Sequence, residues 1–179
     1  MQFILARERF SKHAKSLSCS AQVLHAAVSR YGRSPQNCRF QRLSGGFMNA
    51  NYLVSGDDER FVLRVYSTDV ITADRECDLL RALASTPVLA PRALANFQVE
   101  NRPVAILEFI DGITLEDLLL SGEPIPADLY SEIGRQLAEI HRITFPTAGF
   151  IGPQLTIGGE YEEFAAFLAE QGMLEAPSI

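Results

Sequence analysis

The chain has 179 residues, of which 47% are hydrophobic and 21% charged, and its formal net charge is −6. This composition is typical of a globular protein with enough apolar side chains for a core, and it argues against intrinsic disorder. No apolar run approaches the ~20 residues of a membrane-spanning helix. Charge also interrupts the opening MQFILARERF too early for a signal peptide, so the sequence predicts a cytoplasmic protein without a membrane partner.

Charged residues are unevenly distributed along the chain. Residues 1–65 hold ten Lys and Arg against four Asp and Glu, whereas residues 66–179 hold six against eighteen. This split would guide an anionic ligand toward the first part and a cationic ligand toward the second. Two differently solvated surfaces would give the same pattern. Because no basic run is interleaved with aromatic residues, nucleic acid is not an expected partner.

Cysteines predict neither a disulfide framework nor a zinc site. Cys19, Cys38 and Cys77 are odd in number, far apart and without a CxxC pair. We expect all three to be packing residues.

The first predicted elements are a helix and five strands. After an extension of about fifteen residues, a helix is predicted with Ser18 or Ser20 as its cap and Gly32 just past its end. Five strand candidates follow at 38–43, 51–55, 60–66, 93–99 and 103–110. Short connections after the second and fourth candidates favour hairpins, so these segments predict a small antiparallel sheet.

A helix is predicted between the third and fourth strand candidates. TADRECDLLRALAS has Thr72 as its expected cap and an apolar stripe of Leu79, Leu80 and Leu83.

Further helices are predicted after the fifth strand candidate. TLEDLLL has Thr114 and Asp117 in a capping-box-like arrangement, and a longer helix runs from about Pro126 to Arg142. Residues 144–159 are expected to form a loop. The last predicted helix lies around Tyr161, Phe164 and Leu168 and ends near Gly172. The apolar stripes of these helices predict packing against a further part of the protein that is mostly absent from this sequence.

A glycine pair lies between the first two strand candidates, in RLSGGFMNANYLV. Ser44, Gly45 and Gly46 would let the backbone pass close above a phosphate chain and bind it through exposed N–H groups. The motif matches neither G-x-G-x-x-G nor the Walker pattern. Since β-turns also use glycine pairs, a turn and a ligand loop both stay open at this point.

The third strand candidate, RFVLRVY, places a cation within an apolar strand. Side-chain alternation puts Val62, Arg64 and Tyr66 on one face. A guanidinium in this setting needs an anion nearby, and Glu76 on the following helix is the candidate. The pair would hold Arg64 toward phosphate oxygens. The alternatives are a structural salt bridge and an arginine that reaches solvent from an edge strand.

Five segments in this order resemble the aminoglycoside phosphotransferase and choline kinase family, relatives of the protein kinases. They are LSGGFMNANYLV, FVLRVY, ADRECDLLRAL, PVAILEFIDGITL and GRQLAEIHRI, which together cover about residues 40–143. The resemblance implies an α+β fold. It predicts a protein-kinase-like N-terminal lobe, with a five-stranded antiparallel sheet and one helix, and then the first helices of an incomplete helical C-terminal lobe. The expected domains are 1–35 (extension and helix), 36–111 (nucleotide-binding lobe) and 112–179 (start of the helical lobe).

The resemblance also implies ATP as cofactor, with a nucleotide and a small-molecule hydroxyl acceptor as partners. In the segment LEFIDG, similar to the family's hinge, backbone groups of Glu108 and Ile110 would hydrogen-bond adenine, and Gly112 would let the chain turn. Arg64, paired with Glu76, would contact phosphates. The expected nucleotide-binding residues are Ser44, Gly45, Gly46, Asn49, Arg64, Glu76, Glu108 and Ile110.

The family's catalytic loop begins with His-x-Asp, and a metal-binding aspartate follows it. No His-x-Asp occurs in this chain, and His141 is expected to end the long helix. No catalytic residue or metal ligand is therefore assigned, and Mg²⁺ is expected only with a missing C-terminal part. The favoured interpretation is the N-terminal nucleotide-binding portion of an ATP-dependent small-molecule kinase. A noncatalytic nucleotide-binding or interaction module is the alternative, and a fragment too exposed to be a stable monomer is a third.

Overall fold

The computed structural model describes residues 19–43, 49–56, 59–67, 70–158 and 161–170. Within these ranges the helices are α1 (Ala21–Arg30), α2 (Val70–Leu83), α3 (Leu115–Ser121), α4 (Ala127–Ile140) and α5 (Tyr161–Glu170). The strands are β1 (Arg39–Arg42), β2 (Asn49–Ser55), β3 (Arg60–Tyr66), β4 (Ala93–Val99), β5 (Arg102–Glu108), β6 (Phe150–Ile151) and β7 (Ile157–Gly158). The N-terminal extension and the predicted loop residues Ser44, Gly45 and Gly46 lie outside the described residues.

Strands β1 to β5 form one antiparallel sheet in the order β1-β2-β3-β5-β4, with β3 at its centre. The predicted α+β fold with a five-stranded antiparallel sheet is confirmed. Glu100 and Asn101 connect β4 to β5 with φ of 49° and 62°, the left-handed conformation that two-residue hairpin turns use. Strand β5 ends at Glu108, two residues before its predicted end.

Helix α1 covers one face of the sheet. Ser20 caps it by accepting a hydrogen bond from Val23 N at 3.3 Å, and Gly32 follows its last turn with φ of 84°, as predicted. Alternate residues of β2 and β3 point toward α1 and are buried with it. This larger core consists of Val23, Leu24, Ala27, Val28, Ala50, Tyr52, Val54, Phe61, Leu63, Val65, Val99, Val104 and Ile106.

Helix α2 packs on the opposite face of the sheet. It begins at Val70, so the prediction that Thr72 caps it is wrong, and Thr72 lies in its first turn. Val70 is one turn before the buried Ala73, so the apolar helical period starts ahead of the threonine. The smaller core consists of Tyr66, Ala73, Cys77, Ala105 and Leu107, with Val62, Leu80 and Ala93 packed against it.

Helices α3 and α4 follow without a buried residue of their own. Thr114 caps α3 as predicted, accepting a hydrogen bond from Asp117 N at 3.0 Å. Helix α4 ends at Ile140 with His141 as its C-cap, as predicted, but Pro126 is its N-cap rather than part of its first turn. No residue described after Leu107 is buried. Across the described ranges, no helix combines the length and apolarity that crossing a membrane requires.

The prediction of a loop over residues 144–159 is wrong in its second half. Strands β6 and β7 pair there in a short hairpin, with Ile151 opposite Ile157. Gln154 and Leu155 both have φ of 55° in the turn between them. Two-residue strands are too short for alternation to be visible in a sequence, which is why the hairpin was not predicted.

The cysteines are free and contribute to packing, as expected. Cys77 is buried in the smaller core, and Cys19 and Cys38 are half-buried against the larger one. Burial raises the pKa of the Cys19 and Cys77 thiols above their ordinary value.

Candidate functional site

Arg64 lies at the middle of β3 and is held by two acceptors from different elements. Its Nε donates to Asn51 Oδ1 on β2 at 2.9 Å, and its Nη1 pairs with the Glu76 carboxylate on α2. The Arg64 and Glu76 side chains are 26% and 29% exposed, so the ion pair is partly shielded from water. Nη2 has no partner among the described residues. The ion pair inferred from the sequence is therefore present, whereas Asn51 was not predicted.

Glu76 reaches Arg64 because of the way α2 packs. Ala73 and Cys77, on either side of Glu76 in the helix, are buried against the sheet. This fixes the rotation of the helix and leaves Glu76 on the flank of its buried face. Arg64 has a second cross-strand neighbour, Ala105 of β5. The small side chain of Ala105 adds little bulk beside the guanidinium.

Asn49 shares the sheet face of Arg64 at the start of β2. Alternation along β2 places Asn49, Asn51 and Leu53 on this face, because the residues between them are buried toward α1. Asn49 Oδ1 accepts a hydrogen bond from Ser67 N at 3.5 Å. Asn49 directly follows residues 44–48, which lie outside the described residues and include the predicted loop residues Ser44, Gly45 and Gly46.

An apolar row crosses the sheet on the same face. Val62 of β3 is paired in register with Leu53 of β2 and with Leu107 of β5. Leu107 is buried, whereas Leu53 and Val62 are only half-buried. The row lies between Arg64 and the end of β5. Alternation in the sequence placed Val62 on this face, but the partners of Val62 depend on a register that the sequence did not show.

Glu108 ends β5 in a close contact with Arg92. Its carboxylate accepts hydrogen bonds from Arg92 Nε at 3.2 Å and Nη2 at 3.3 Å, and its backbone N–H donates to Arg92 O at 2.9 Å. The hydrogen bonds that the carboxylate accepts from the Arg92 side chain, and from Arg92 N at 3.1 Å, lower the pKa of the Glu108 carboxyl below its ordinary value. Ile110, two residues on, is 61% exposed.

The segment after β5 is fixed against the start of β3. The Arg60 guanidinium carbon lies 4.9 Å from the centre of the Phe109 ring, and Arg60 Nη2 is 3.2 Å from Asp111 Oδ2. Gly112 follows with φ of 155°, a conformation that L side chains rarely adopt. No sequence signal indicated Arg60, because nothing local relates it to Asp111, fifty-one positions later.

Polar contacts also hold the outer side of α2. Asn96 of β4 donates to Asp74 at 2.6 Å and accepts from Arg81, which pairs with Asp78 at 2.9 Å. The Asp78 carboxylate also accepts from Gln154 N at 2.7 Å. Helix α2, which carries Glu76, is thus bound both to the sheet and to the β6–β7 hairpin. None of these contacts was predicted.

The arrangement is that of a protein-kinase-like fold: an antiparallel sheet whose central strand carries a cation paired with a carboxylate of the adjacent helix. The sequence model of the phosphotransferase enzyme family, APH, matches residues 39–176. The chain belongs to this family. No curated protein sequence matches the chain.

Solved structures of aminoglycoside phosphotransferase APH(4)-Ia share the fold. One is 20% identical, with a TM-score of 0.58 over 86% of this chain and 52% of that chain. A thermostable mutant in ternary complex with AMP-PNP and hygromycin B is 21% identical, with a TM-score of 0.57 over 86% of this chain and 51% of that chain. Another, with ADP and hygromycin B, is 20% identical, with a TM-score of 0.55 over 83% and 50%. The chain spans about half the length of these structures.

Proposed function

We propose that this chain is the nucleotide-binding portion of an ATP-dependent phosphotransferase that acts on a small-molecule hydroxyl group. The observation that supports this best is the geometry of Arg64. Two of its guanidinium nitrogens are held by Asn51 and Glu76, and Nη2 has no partner among the described residues. A partly shielded cation with a free donor is suited to a phosphate oxygen, because charge-assisted hydrogen bonds are strong where water is partly excluded.

The phosphate side of the site would combine Arg64 with the start of β2. Asn49 lies on the same face as Arg64, next to the chain segment with Ser44, Gly45 and Gly46. We propose that backbone N–H groups of this segment also bind phosphate oxygens. When bound, ATP would supply the γ-phosphoryl group, and these residues would hold its phosphate tail.

The base would lie on the apolar row Leu53, Val62 and Leu107, close to the end of β5. Glu108 is paired with Phe61, three residues from Arg64 along β3, which is about 10 Å in an extended strand. This spacing is similar to that between the base and the outer phosphates of an extended nucleotide. Because the Glu108 N–H already donates to Arg92 O, we propose that Glu108 contacts adenine through its carbonyl oxygen and Ile110 through its N–H.

Magnesium does not fit the residues that the structure describes. They contain no group of three or more His, Cys, Asp or Glu side chains that could hold a metal ion, and the sequence contains no His-x-Asp. We therefore derive no step through a metal. Phosphoryl transfer would also need a hydroxyl-orienting residue and metal ligands, and neither is assigned to the described residues. The proposed boundaries remain 36–111 for the nucleotide-binding lobe and 112–179 for the start of a helical lobe, in a cytoplasmic protein.

The acceptor would be a cationic small molecule with a hydroxyl group. Residues 111–179 hold twelve Asp and Glu against two Lys and Arg, which would attract a cation. Similar structures of aminoglycoside phosphotransferase APH(4)-Ia are ternary complexes of hygromycin B with ADP or AMP-PNP. An aminoglycoside is accordingly the first acceptor to examine.

The nucleotide site can be tested by isothermal titration calorimetry of the purified chain with AMP-PNP. We expect binding, and we expect Arg64→Ala to weaken it about tenfold or more, since a hydrogen bond to a charged group contributes about 1.5–3 kcal/mol. Arg39→Ala, on the edge strand β1, is the control. Absence of binding by the wild-type chain, or equal affinities for the Arg64 variant and the wild type, would contradict the proposal. Binding that persists without acceptor-dependent turnover in any longer form of the protein would instead favour a noncatalytic module.

A further inference from the structure

We infer that Asn51 is a positioning residue that orients the Arg64 guanidinium toward the nucleotide's phosphates. The inference rests on the proposed nucleotide-binding function and adds to it a residue that acts through Arg64. Asn51 and Arg64 are directly opposite each other in the β2–β3 register, and both point to the same face of the sheet. Their side chains meet at 2.9 Å, between Asn51 Oδ1 and Arg64 Nε.

The chemistry of the two groups fixes the orientation of the amide. A guanidinium has only donors, so Asn51 must present its carbonyl oxygen to Nε. The Glu76 carboxylate, on a different element, accepts from Nη1. Two acceptors on two nitrogens of one planar group fix both the position and the plane of the guanidinium. Nη2 is then presented in a single direction. With Glu76 as the only acceptor, the guanidinium plane could rotate about the Nη1 contact. Ligand binding would then have to restrict this rotation, which costs side-chain entropy.

Asn51 is uncharged, and this neutrality supports the inference as much as its position does. Arg64 and Glu76 together carry no net charge, so a neutral acceptor at residue 51 leaves the site neutral before the ligand binds. An aspartate would have nearly the same shape and would still accept from Nε. It would also add a negative charge beside the phosphates, and like charges repel strongly in a partly shielded site. Asn51→Asp therefore keeps the contact and changes only the electrostatics.

Asn49 provides a useful contrast on the same strand and face. Its Oδ1 accepts from a backbone group, Ser67 N, at 3.5 Å. That contact joins the ends of β2 and β3 and does not touch Arg64. The structure thus assigns the orienting contact to Asn51, although Asn49 is the one that adjoins the glycine segment.

The test is calorimetry of the full chain with adenosine, ADP and AMP-PNP. For Asn51→Ala we expect ADP and AMP-PNP to bind about three- to tenfold more weakly, a smaller loss than for a direct charge-assisted contact because Asn51 acts through Arg64. Adenosine, which lacks phosphates, should keep its affinity within about twofold by the same reasoning. Asn51→Asp should weaken AMP-PNP at least as much as Asn51→Ala does, although it restores an acceptor. Tyr66→Phe, on the same strand and face as Arg64, is the matched control.

A double-mutant cycle separates positioning from general damage to the sheet. If Asn51 acts through Arg64, the Arg64→Ala/Asn51→Ala variant should bind AMP-PNP as weakly as Arg64→Ala alone. Additive losses, an equal loss for adenosine, or unchanged affinity in Asn51→Ala would each overturn the inference while leaving the proposed function intact. A wild-type chain that binds no adenine nucleotide would overturn both. Circular dichroism melting curves of each variant identify any that fails to fold, and Asn51→Asp, the closest match in shape, then decides the outcome.

Discussion

The sheet region, residues 19–108, and the helical region that follows differ in what covers their apolar side chains. Every residue that is buried in the described chain lies between Val23 and Leu107. In the helical region, Ile133, Leu137 and Ile140 form an apolar stripe on α4 and remain 42%, 50% and 38% exposed. An amphipathic pattern is therefore enough to predict a helix, but it does not show what the apolar face contacts. The sheet region carries its own core, and this core is what holds Arg64, Asn51 and Glu76 in place.

The difference in burial between the sheet region and the helical region has its largest expected effect in a matched pair of leucines. Leu63 on β3 is fully buried, whereas Leu137 on α4 is half-exposed. We expect Leu63→Ala to lower the free energy of unfolding by about 3 kcal/mol and Leu137→Ala by less than about 1 kcal/mol, because only the first leaves a cavity. Urea denaturation followed by circular dichroism measures both. Equal losses would mean that α4 is packed as tightly in solution as the sheet.

A second prediction concerns the contact between the two regions. The Asp78 carboxylate accepts from Gln154 N and thereby attaches the β6–β7 hairpin to α2. We expect Asp78→Ala to destabilise the docked hairpin by about 1.5 kcal/mol, the usual value for a hydrogen bond to a charged group. Hydrogen exchange should then speed up in residues 150–158 and stay unchanged in β5. If exchange accelerates equally in both, α2 rather than the hairpin has been disturbed.

The smallest expected effect comes from two carboxylates with lowered pKa values. Arg92 lowers the pKa of Glu108, and Arg135 lowers that of Glu132 on α4 to about 2. A carboxyl whose pKa is lowered in the folded state stabilises the protein above its ordinary pKa of about 4.3, and this contribution is lost as the pH falls through the folded-state pKa. Because both side chains are accessible to solvent, screening keeps the contribution small.

The matched variants are Glu108→Gln and Glu132→Gln. We expect Glu108→Gln to lower the melting temperature slightly at pH 7 and to match the wild type near pH 3, since Glu108 also joins β5 to Arg92. For Glu132→Gln, whose partners Arg135 and Gln136 lie on its own helix, we expect no measurable change at either pH. A larger change in melting temperature for Glu132→Gln than for Glu108→Gln would contradict the expectation that the sheet region contributes more to stability than the helical region.

Much of the sheet region could be predicted because its signals are local. Alternation in RFVLRVY placed Arg64 on one face, and the helical spacing of the next segment offered Glu76 as a partner twelve residues away. The Arg64–Glu76 ion pair could therefore be predicted from the sequence. Whether Arg64, Glu76, Asn49, Glu108 and Ile110 bind nucleotide stays a prediction.

Other contacts at the site could not have been found in this way. Asn51 meets Arg64 only because the β2–β3 register sets them opposite each other, and a slip of one residue would turn Asn51 to the other face. Arg60 meets Asp111, fifty-one residues later, because β5 pairs antiparallel with β3 and ends beside its start. Thr72 was misjudged as a cap because side-chain chemistry that favours capping does not outweigh an apolar period that begins earlier.

By itself, the sequence determined the helices and the five strands of the main sheet, which residues alternate to which face, and that a cation lies in an apolar strand. These depend on a few neighbouring residues and on the fixed periods of the backbone. Only the tertiary structure decided the register that aligns Leu53, Val62 and Leu107, the second acceptor on Arg64, and the attachment of the β6–β7 hairpin to α2. Such contacts join residues far apart in the chain, so their geometry depends on how whole elements pack.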